Sequence, residues 1–504
     1  MLSWIEAIFT IVIAFIVIIV IRNRGDIIQY FRIWKSLRKF PSPPSHWLMG
    51  HLLQLGKPDE ACIQMLEKRC PSYDTCFVHW FSIFPVLCCN NSDAAKDIIK
   101  ASSPKGSWFY KLATPWLGHG LIAENGPRWA RNRRLLTPAF HYDILKNYVR
   151  IYNDCIDTII TKWKARDDKG ESFDTYEDLK LLTLDVILQT AFSIKLDCQT
   201  IGKYHPYITA SRQLTRLLLE RVHFLPYSFD CIYRWSPSGK KFLKLCHYVN
   251  QFSDEIISRR KETLTNNNIN QQSSQNRRGK HMDFVDILLQ TRDEDGYGLN
   301  VQEIRDEVNT FMFAGHDTTS SALAWTLYCL AKYPQHQDKV REEADGILCD
   351  KDNIDYDDLH KLNYTHMCIK EAMRIYTPVP TIERKLNQDL TVNGMLVPAS
   401  TTVFLQLHTL CRRSEVWPNP YQYDPQRFTA ENIQNRDPYH YIPFSAGQRN
   451  CIGKNFATDE LKIVVAKLVH HLQIEIDPKM QPTRYYAMVN QPDKGIWLKI
   501  KRLK

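Results

Sequence analysis

The sequence predicts a mainly α-helical chain with a small β part, preceded by one membrane-spanning helix, and three observations carry that prediction. The first twenty or so residues are almost wholly apolar, the length a helix needs to cross about 30 Å of hydrocarbon. A second stretch, from Asn300 to Tyr333, keeps a helical apolar period with no proline until Pro334. Strand-like runs are short and few, at Tyr73–Val78, Phe84–Cys89, Leu390–Val392, Thr402–Leu405 and Ile496–Ile500.

Composition excludes several functions. The chain has 504 residues, 44% of them hydrophobic and 12% aromatic, enough for a large core and an apolar pocket. Its 14 cysteines are scattered, with Cys88 and Cys89 the only close pair and no C-x-x-C, which is the usage of a reducing compartment and offers no zinc-site spacing. The formal charge of +10 is spread along the chain without a dense basic block, so nucleic acid is not the expected partner. An anionic membrane surface or an acidic protein suits that charge better.

Taken in order, residues 1–21 form the expected transmembrane anchor, because only Ser3, Glu6 and Thr10 are polar between Leu2 and Ile21. A cleaved signal peptide would need a basic leader and a small-residue cleavage site, and neither is present. Arg22, Arg24, Arg32, Lys35, Arg38 and Lys39 follow, which places the body of the protein in the cytosol by the positive-inside rule. The sequons at Asn90 and Asn363 then stay unglycosylated. Residues 22–50 read as a basic, proline-rich hinge containing Pro41, Pro43 and Pro44, and 51–504 as one domain. Within it, Thr265–Lys280 is polar and low in complexity and reads as an exposed loop.

The long helix opens with Asn300 and Glu303, a capping-box start. Phe311, Ala314, Gly315, Thr318 and Ala322 share one face, apolar and small at its centre, with room for something bulky. Asp317, Thr318 and Thr319 set a carboxylate and hydroxyls beside it, although a threonine there is often only bonded back to its own helix. Trp129 and Arg133 lie at i,i+4, suited to a carboxylate. Glu371 and Arg374 lie at i,i+3, ordinarily a solvated surface pair. Last comes Phe444-Ser-Ala-Gly447-Gln-Arg449-Asn-Cys451-Ile-Gly453, a loop wrapped around one sulfur, with glycines for tight turning and an arginine suited to a thiolate or a carboxylate.

The pattern F-x-x-G-x-R-x-C-x-G resembles the haem-binding loop of the cytochrome P450 monooxygenases. The resemblance implies the P450 fold and a haem b whose iron takes the Cys451 thiolate as axial ligand, so Cys451 is both metal ligand and cofactor contact. It makes Phe444, Gly447 and Arg449 cofactor-binding residues, with Trp129, Arg133 and Arg384 contacting the propionates. Ala314–Thr319 resembles the family's oxygen-activating motif, which gives Thr318 and Asp317 the catalytic role of supplying protons. Glu371, Arg374 and Arg427 would together support the loop beneath the haem. Glu307–Thr319 and Leu135–His141 are similar to family 4, the branch known for fatty-acid ω-hydroxylation. Asn309 stands where that branch usually has Asp. Ala314 stands where many members have a glutamate that esterifies a haem methyl, so no covalent tether can form at 314.

What the resemblance implies is a membrane-bound monooxygenase that hydroxylates long-chain fatty acids or related lipids with dioxygen. No nicotinamide or flavin motif is visible, so electrons come from a separate NADPH–cytochrome P450 reductase, with cytochrome b5 as a further donor. The expected location is the endoplasmic reticulum membrane, single-pass, with the catalytic domain cytosolic. Arg131, Arg134, Arg449 and Lys454 are the expected reductase-facing cations. Two rivals stand beside this reading: a haem-thiolate isomerase or dehydratase of lipid peroxides, which could dispense with the acid–threonine pair, and a non-enzymatic haem-bound lipid carrier or sensor.

Overall fold

The computed structural model describes residues 22–503 apart from 102, 107–108, 168–169, 202–204 and 272–282. The expected anchor Leu2–Ile21 lies outside the described residues, and among these no helix is long and apolar enough to cross a membrane. The chain is mainly helical with a small β part. Its first described helix, Arg24–Leu37, packs on the strands Phe84–Cys89 and Met395–Val397. The proline strip that follows lies along the sheet: the Val78 N–H donates to the Pro41 carbonyl at 2.8 Å, and Gly50 bridges Phe81. At φ +59, Gly50 is in the left-handed region, and a Cβ there would drive into the backbone around Trp80 and Ser82.

Four strands form the larger sheet in the order Cys76–Phe81, Phe84–Cys89, Thr402–Leu405, Ile382–Lys385. The first begins later than the sequence suggests, because Cys70–Ser72 closes a 3-10 turn held by the Asn90 amide, which donates to the carbonyls of Cys70 and Tyr73. A second sheet joins Phe173–Asp174, Trp497–Arg502 and Leu472–Ile476, and two short hairpins complete the β part. All fourteen cysteines are free. The helix Pro237–Gln271 overruns the start of the expected loop at Thr265. That departure follows from cooperativity, since extending an existing helix costs far less than starting one; the rest of the loop lies largely outside the described residues.

The central helix, Val301–Lys332, is 32 residues long and organises the rest. Its capping box is complete: the Asn300 side chain accepts from the Glu303 N–H at 2.9 Å, and the Glu303 carboxylate accepts from the Asn300 N–H at 2.9 Å. At 1.5 Å per residue it spans about 48 Å. From Asp306 to Ala331 every position is buried except Ala314, Gly315 and Thr318. The gap is internal, for Gly315 meets the neighbouring helix Thr175–Phe192, where a Cβ would come within 2.7 Å of Ile187.

Glu371 and Arg374, far from being a surface pair, have side chains with no exposure at all. Two charge-assisted hydrogen bonds join them at 2.7 and 2.8 Å, and Arg427 adds an ion pair at 3.4 Å. Arg374 also donates to the Cys411 carbonyl at 2.8 Å, and the Glu371 carboxylate accepts from the Asp424 N–H at 3.0 Å. The helix Asn363–Ile375 is thereby bolted to the segment that leads into the Cys451 loop.

Candidate functional site

An apolar cavity of about 480 Å³ occupies the gap in the central helix. Thr310, Phe311, Phe313, Ala314, Gly315, Thr318, Thr319 and Ala322 form one wall, and Phe444, Cys451 and Ile452 belong to another. The face read from the helical period is therefore the face that meets the cavity.

The Cys451 loop turns through two left-handed residues, Ser445 at φ 58 and Gly447 at φ 69. A side chain at 447 would press on Ile99, with a Cβ 2.9 Å from its Cγ2, so glycine is needed for both conformation and space. The Cys451 N–H donates to the Phe444 carbonyl at 2.9 Å and closes the loop. The cysteine is accessible from the cavity, although protein surrounds it on the outside. Burial raises its thiol pKa, while the Gly453 N–H and the charges of Arg133, Lys105 and Lys454 oppose that rise. Gly453 is also the N-cap of the helix Lys454–His471, which turns its positive end toward the sulfur.

Cations gather at one side of the cavity. Arg449 stacks over Trp129 at 4.0 Å and donates to the Glu124 carbonyl at 2.8 Å, yet its Nε is buried without a partner. Arg384 is buried and donates to the Glu383 carbonyl at 3.0 Å and the Ser445 hydroxyl at 3.3 Å. Arg133 also lines the cavity, but its guanidinium forks onto Asn450, at 3.0 Å to the carbonyl and 2.9 Å to the side-chain oxygen. Lys105, which the sequence reading missed, completes the group beside the Tyr110 ring at 5.2 Å. No local pattern marks it, because a loop residue is recruited here only by the fold.

These charges tell what the cavity is built to hold. Burial and then repulsion from Arg384 push the Arg449 pKa down to about 9, and burial with repulsion from Arg449 and Arg384 depresses Lys105. Four cations in an apolar cavity call for an anionic ligand. A flat apolar ring carrying two carboxylates, with a metal facing Cys451, meets each requirement, so the residues present fit haem.

Thr318 and Asp317 diverge. Thr318 faces the cavity, with its hydroxyl donating to the Ala314 carbonyl at 2.7 Å. Asp317 is buried but is not among the cavity-lining residues; both its oxygens accept from the Gln491 amide, at 3.1 and 2.9 Å. Arg131 and Arg449 do not face outward as expected. Arg131 is spent on Asp293 at 2.7 Å and on the Gly298 carbonyl at 2.9 Å, because the loop before the central helix folds over it. Arg134 and Lys454 are exposed. Glu307, buried among helices, accepts from the Leu121 N–H at 3.0 Å and the Asn132 amide at 3.1 Å, tying the helix that bears Trp129 and Arg133 to the central one.

The lining also takes in an apolar arm of Leu55, Ile63, Leu66, Phe81, Leu219 and Val222, from the sheet, the N-terminal helices and the end of the helix Pro206–His223, with His79 and His223 among them.

Comparison with known proteins bears on what fills this space. The family model described as Cytochrome P450 matches residues 40–500. Cytochrome P450 4X1 of Homo sapiens is 38% identical over 475 residues, covering 94% of this chain and 92% of that protein. Cytochrome P450 4B1 of Rattus norvegicus is 38% identical over 494 residues, 97% and 95% of the two chains. A protein named Ultra-long-chain fatty acid omega-hydroxylase, from Homo sapiens, is 37% identical over 488 residues, 94% and 90% of the two.

Proposed function

Because the chain belongs to the cytochrome P450 family, as a haem-thiolate monooxygenase similar to family 4 proteins, we propose that it hydroxylates long-chain fatty acids or related lipids. The apolar arm between Leu55, Ile63, Leu66, Phe81, Leu219 and Val222 carries this reading, since an acyl chain is the ligand whose burial such walls reward.

The haem, when bound, supplies dioxygen activation and the oxidation of a substrate C–H bond. The chain supplies the rest. Cys451, whose N–H is held by the Phe444 carbonyl, would supply the thiolate to the iron. Arg449, Arg384, Arg133, Trp129 and Lys105 would hold the propionates, and Phe444 and Gly447 would complete the haem-binding loop. Thr318 positions a proton on the cavity side of the central helix, and Asp317 replenishes it. Ala314 offers no carboxylate, so no covalent tether forms at this position.

Electrons reach the site from an NADPH-dependent reductase, with cytochrome b5 as a further donor. Residues 1–21 anchor the protein in the endoplasmic reticulum membrane, 22–50 connect anchor and globule, and 51–504 form the catalytic domain on the cytosolic side. Incubating the purified protein with reductase, NADPH and a mixed lipid extract tests this reading by mass spectrometry. Hydroxylated fatty acids appearing only with reductase support it. Lipid products formed without reductase would favour the isomerase instead.

A further inference from the structure

The hairpin Arg484–Tyr486 with Asn490–Pro492 touches two functional places at once. Its tip, Ala487, Met488 and Val489, lines the cavity. Two residues on, Gln491 is 2% exposed and its amide donates to both oxygens of Asp317. Between them Asn490 is clamped: its carbonyl accepts from the Ser321 hydroxyl at 2.6 Å and the Trp325 indole at 3.3 Å, and its N–H donates to the Pro378 carbonyl at 2.8 Å. Tip and amide are thus arms on either side of a fixed residue. The cavity-lining Val489 and the amide that grips the acid are separated by this one residue of backbone.

Asp317 sits next to Thr318 in sequence but faces away from the cavity, toward Gln491 and within charge reach of His316, Lys180, Tyr176 and Tyr207. Lys180 Nζ, which lies over the Tyr176 ring at 4.2 Å, and the Tyr207 hydroxyl are buried without a hydrogen-bond partner, so the far side of the carboxylate is polar, and among the described residues only the Gln491 amide bonds both its oxygens. To exchange a proton with the Thr318 side, the carboxylate must leave the amide.

We propose that Gln491 is a positioning residue that latches the Asp317 carboxylate away from the cavity, and that the hairpin releases this latch when a lipid occupies the wall at Met488 and Val489. The proposal rests on the reading of Asp317 as a proton source. Its consequence is economy: with the latch closed while the cavity is empty, reducing equivalents are not drained into peroxide.

The test uses full-length holoenzyme with dodecanoic acid as probe. In infrared difference spectra of the resting protein, the carboxylate band identified by its loss in Asp317→Asn should shift when dodecanoic acid is added. In Gln491→Leu that band should already stand at its shifted position without the acid. During reductase-supported turnover without lipid, the same variant should oxidise NADPH and release hydrogen peroxide several-fold faster than wild type, with haem content unchanged. Should Gln491→Leu not fold, Gln491→Asn, whose amide is one methylene too short, gives the same readings. A wild-type band and a wild-type rate of peroxide release in the Gln491 variants, while Asp317→Asn slows turnover, would overturn the latch and leave the acid's role standing. If Asp317→Asn itself keeps the wild-type rate of turnover, the proton reading falls and takes the latch with it.

Discussion

The Thr318 hydroxyl donates to the carbonyl of Ala314, one turn back on the central helix, at 2.7 Å. That bond is the ordinary resting place of a helix threonine, yet both residues line the cavity and both belong to its half-buried strip. The hydroxyl keeps its lone pairs for an incoming donor while its own proton is parked on Ala314. Thr318→Ala should therefore leave haem content and fatty-acid binding intact but lower product per NADPH by about tenfold, a barrier change of about 1.4 kcal/mol. Thr318→Ser, which keeps the hydroxyl, should restore most of it. Full coupling in the alanine variant would reduce Thr318 to a structural hydroxyl.

Ala314 gives the second prediction. Its side chain is a single methyl on the cavity wall, so acid and organic solvent should extract the haem intact from the wild-type protein. Ala314→Glu places a carboxylate on the same strip, and after turnover a fraction of the haem should stay with the denatured chain. The same change should move hydroxylation toward the terminal carbon by narrowing the cavity. Haem retained by denatured wild type would point to a covalent link elsewhere.

Much of this site is readable from local sequence, and the parts that are not share a cause. The central helix declares itself through period and cap because both signals lie within a few residues of each other. Asp317 misleads because successive helix residues point about 100° apart, so its neighbour's facing says nothing of its own. Its actual partner, Gln491, is 174 residues away. Lys105 and the strand Ile382–Lys385 were missed for the same reason: the strand is four residues long with three charges, and only pairing with Thr402–Leu405 defines it. Burial of Glu371 and Arg374 was likewise not in their spacing but in the family resemblance.

That buried pair carries the third prediction. Arg374→Met removes one charge from a site with no access to water and leaves Glu371 with Arg427 as its remaining cation and the Asp424 N–H as donor. Breaking such a pair costs about 3–5 kcal/mol, so the variant should melt well below wild type and lose the carbon monoxide band of thiolate-ligated haem. A melting point within error of wild type would deny the pair its structural role.

Reductase docking supplies the fourth. Arg131 and Arg449 are engaged inside the fold and Arg134 is paired with Glu294 at 2.7 Å, which leaves exposed Lys454 as the main steering charge of the four. Exposed charges act over a Debye length of about 8 Å at 0.15 M salt. Reductase-supported turnover should fall as salt rises while peroxide-supported turnover holds steady, and Lys454→Glu should lower kcat/KM for reductase several-fold. Equal salt sensitivity of the two assays would remove the argument.

The fifth prediction concerns pH and Glu307. Burial lifts its carboxyl from an ordinary 4.5 to about 8, against the hydrogen bonds from Leu121 and Asn132 that favour the charged form; Asp306 repels it and Arg128 attracts it. A carboxyl whose folded pKa lies above its unfolded one binds more protons when folded, so stability falls as pH rises through that interval. The contribution of Glu307 is thus fully present below about pH 4.5 and is lost as pH climbs through about 8. Since this carboxyl ties the helix Gly126–Leu136, which bears Trp129 and Arg133, to the central helix, haem retention should weaken along with stability. Glu307→Gln removes the titration while keeping the shape. Apparent melting temperature between pH 6 and 9, at fixed ionic strength, should fall more steeply in wild type than in the variant, and the gap should narrow toward acid. Parallel profiles would mean that Glu307 is already ionised in the folded protein, held so by its two donors.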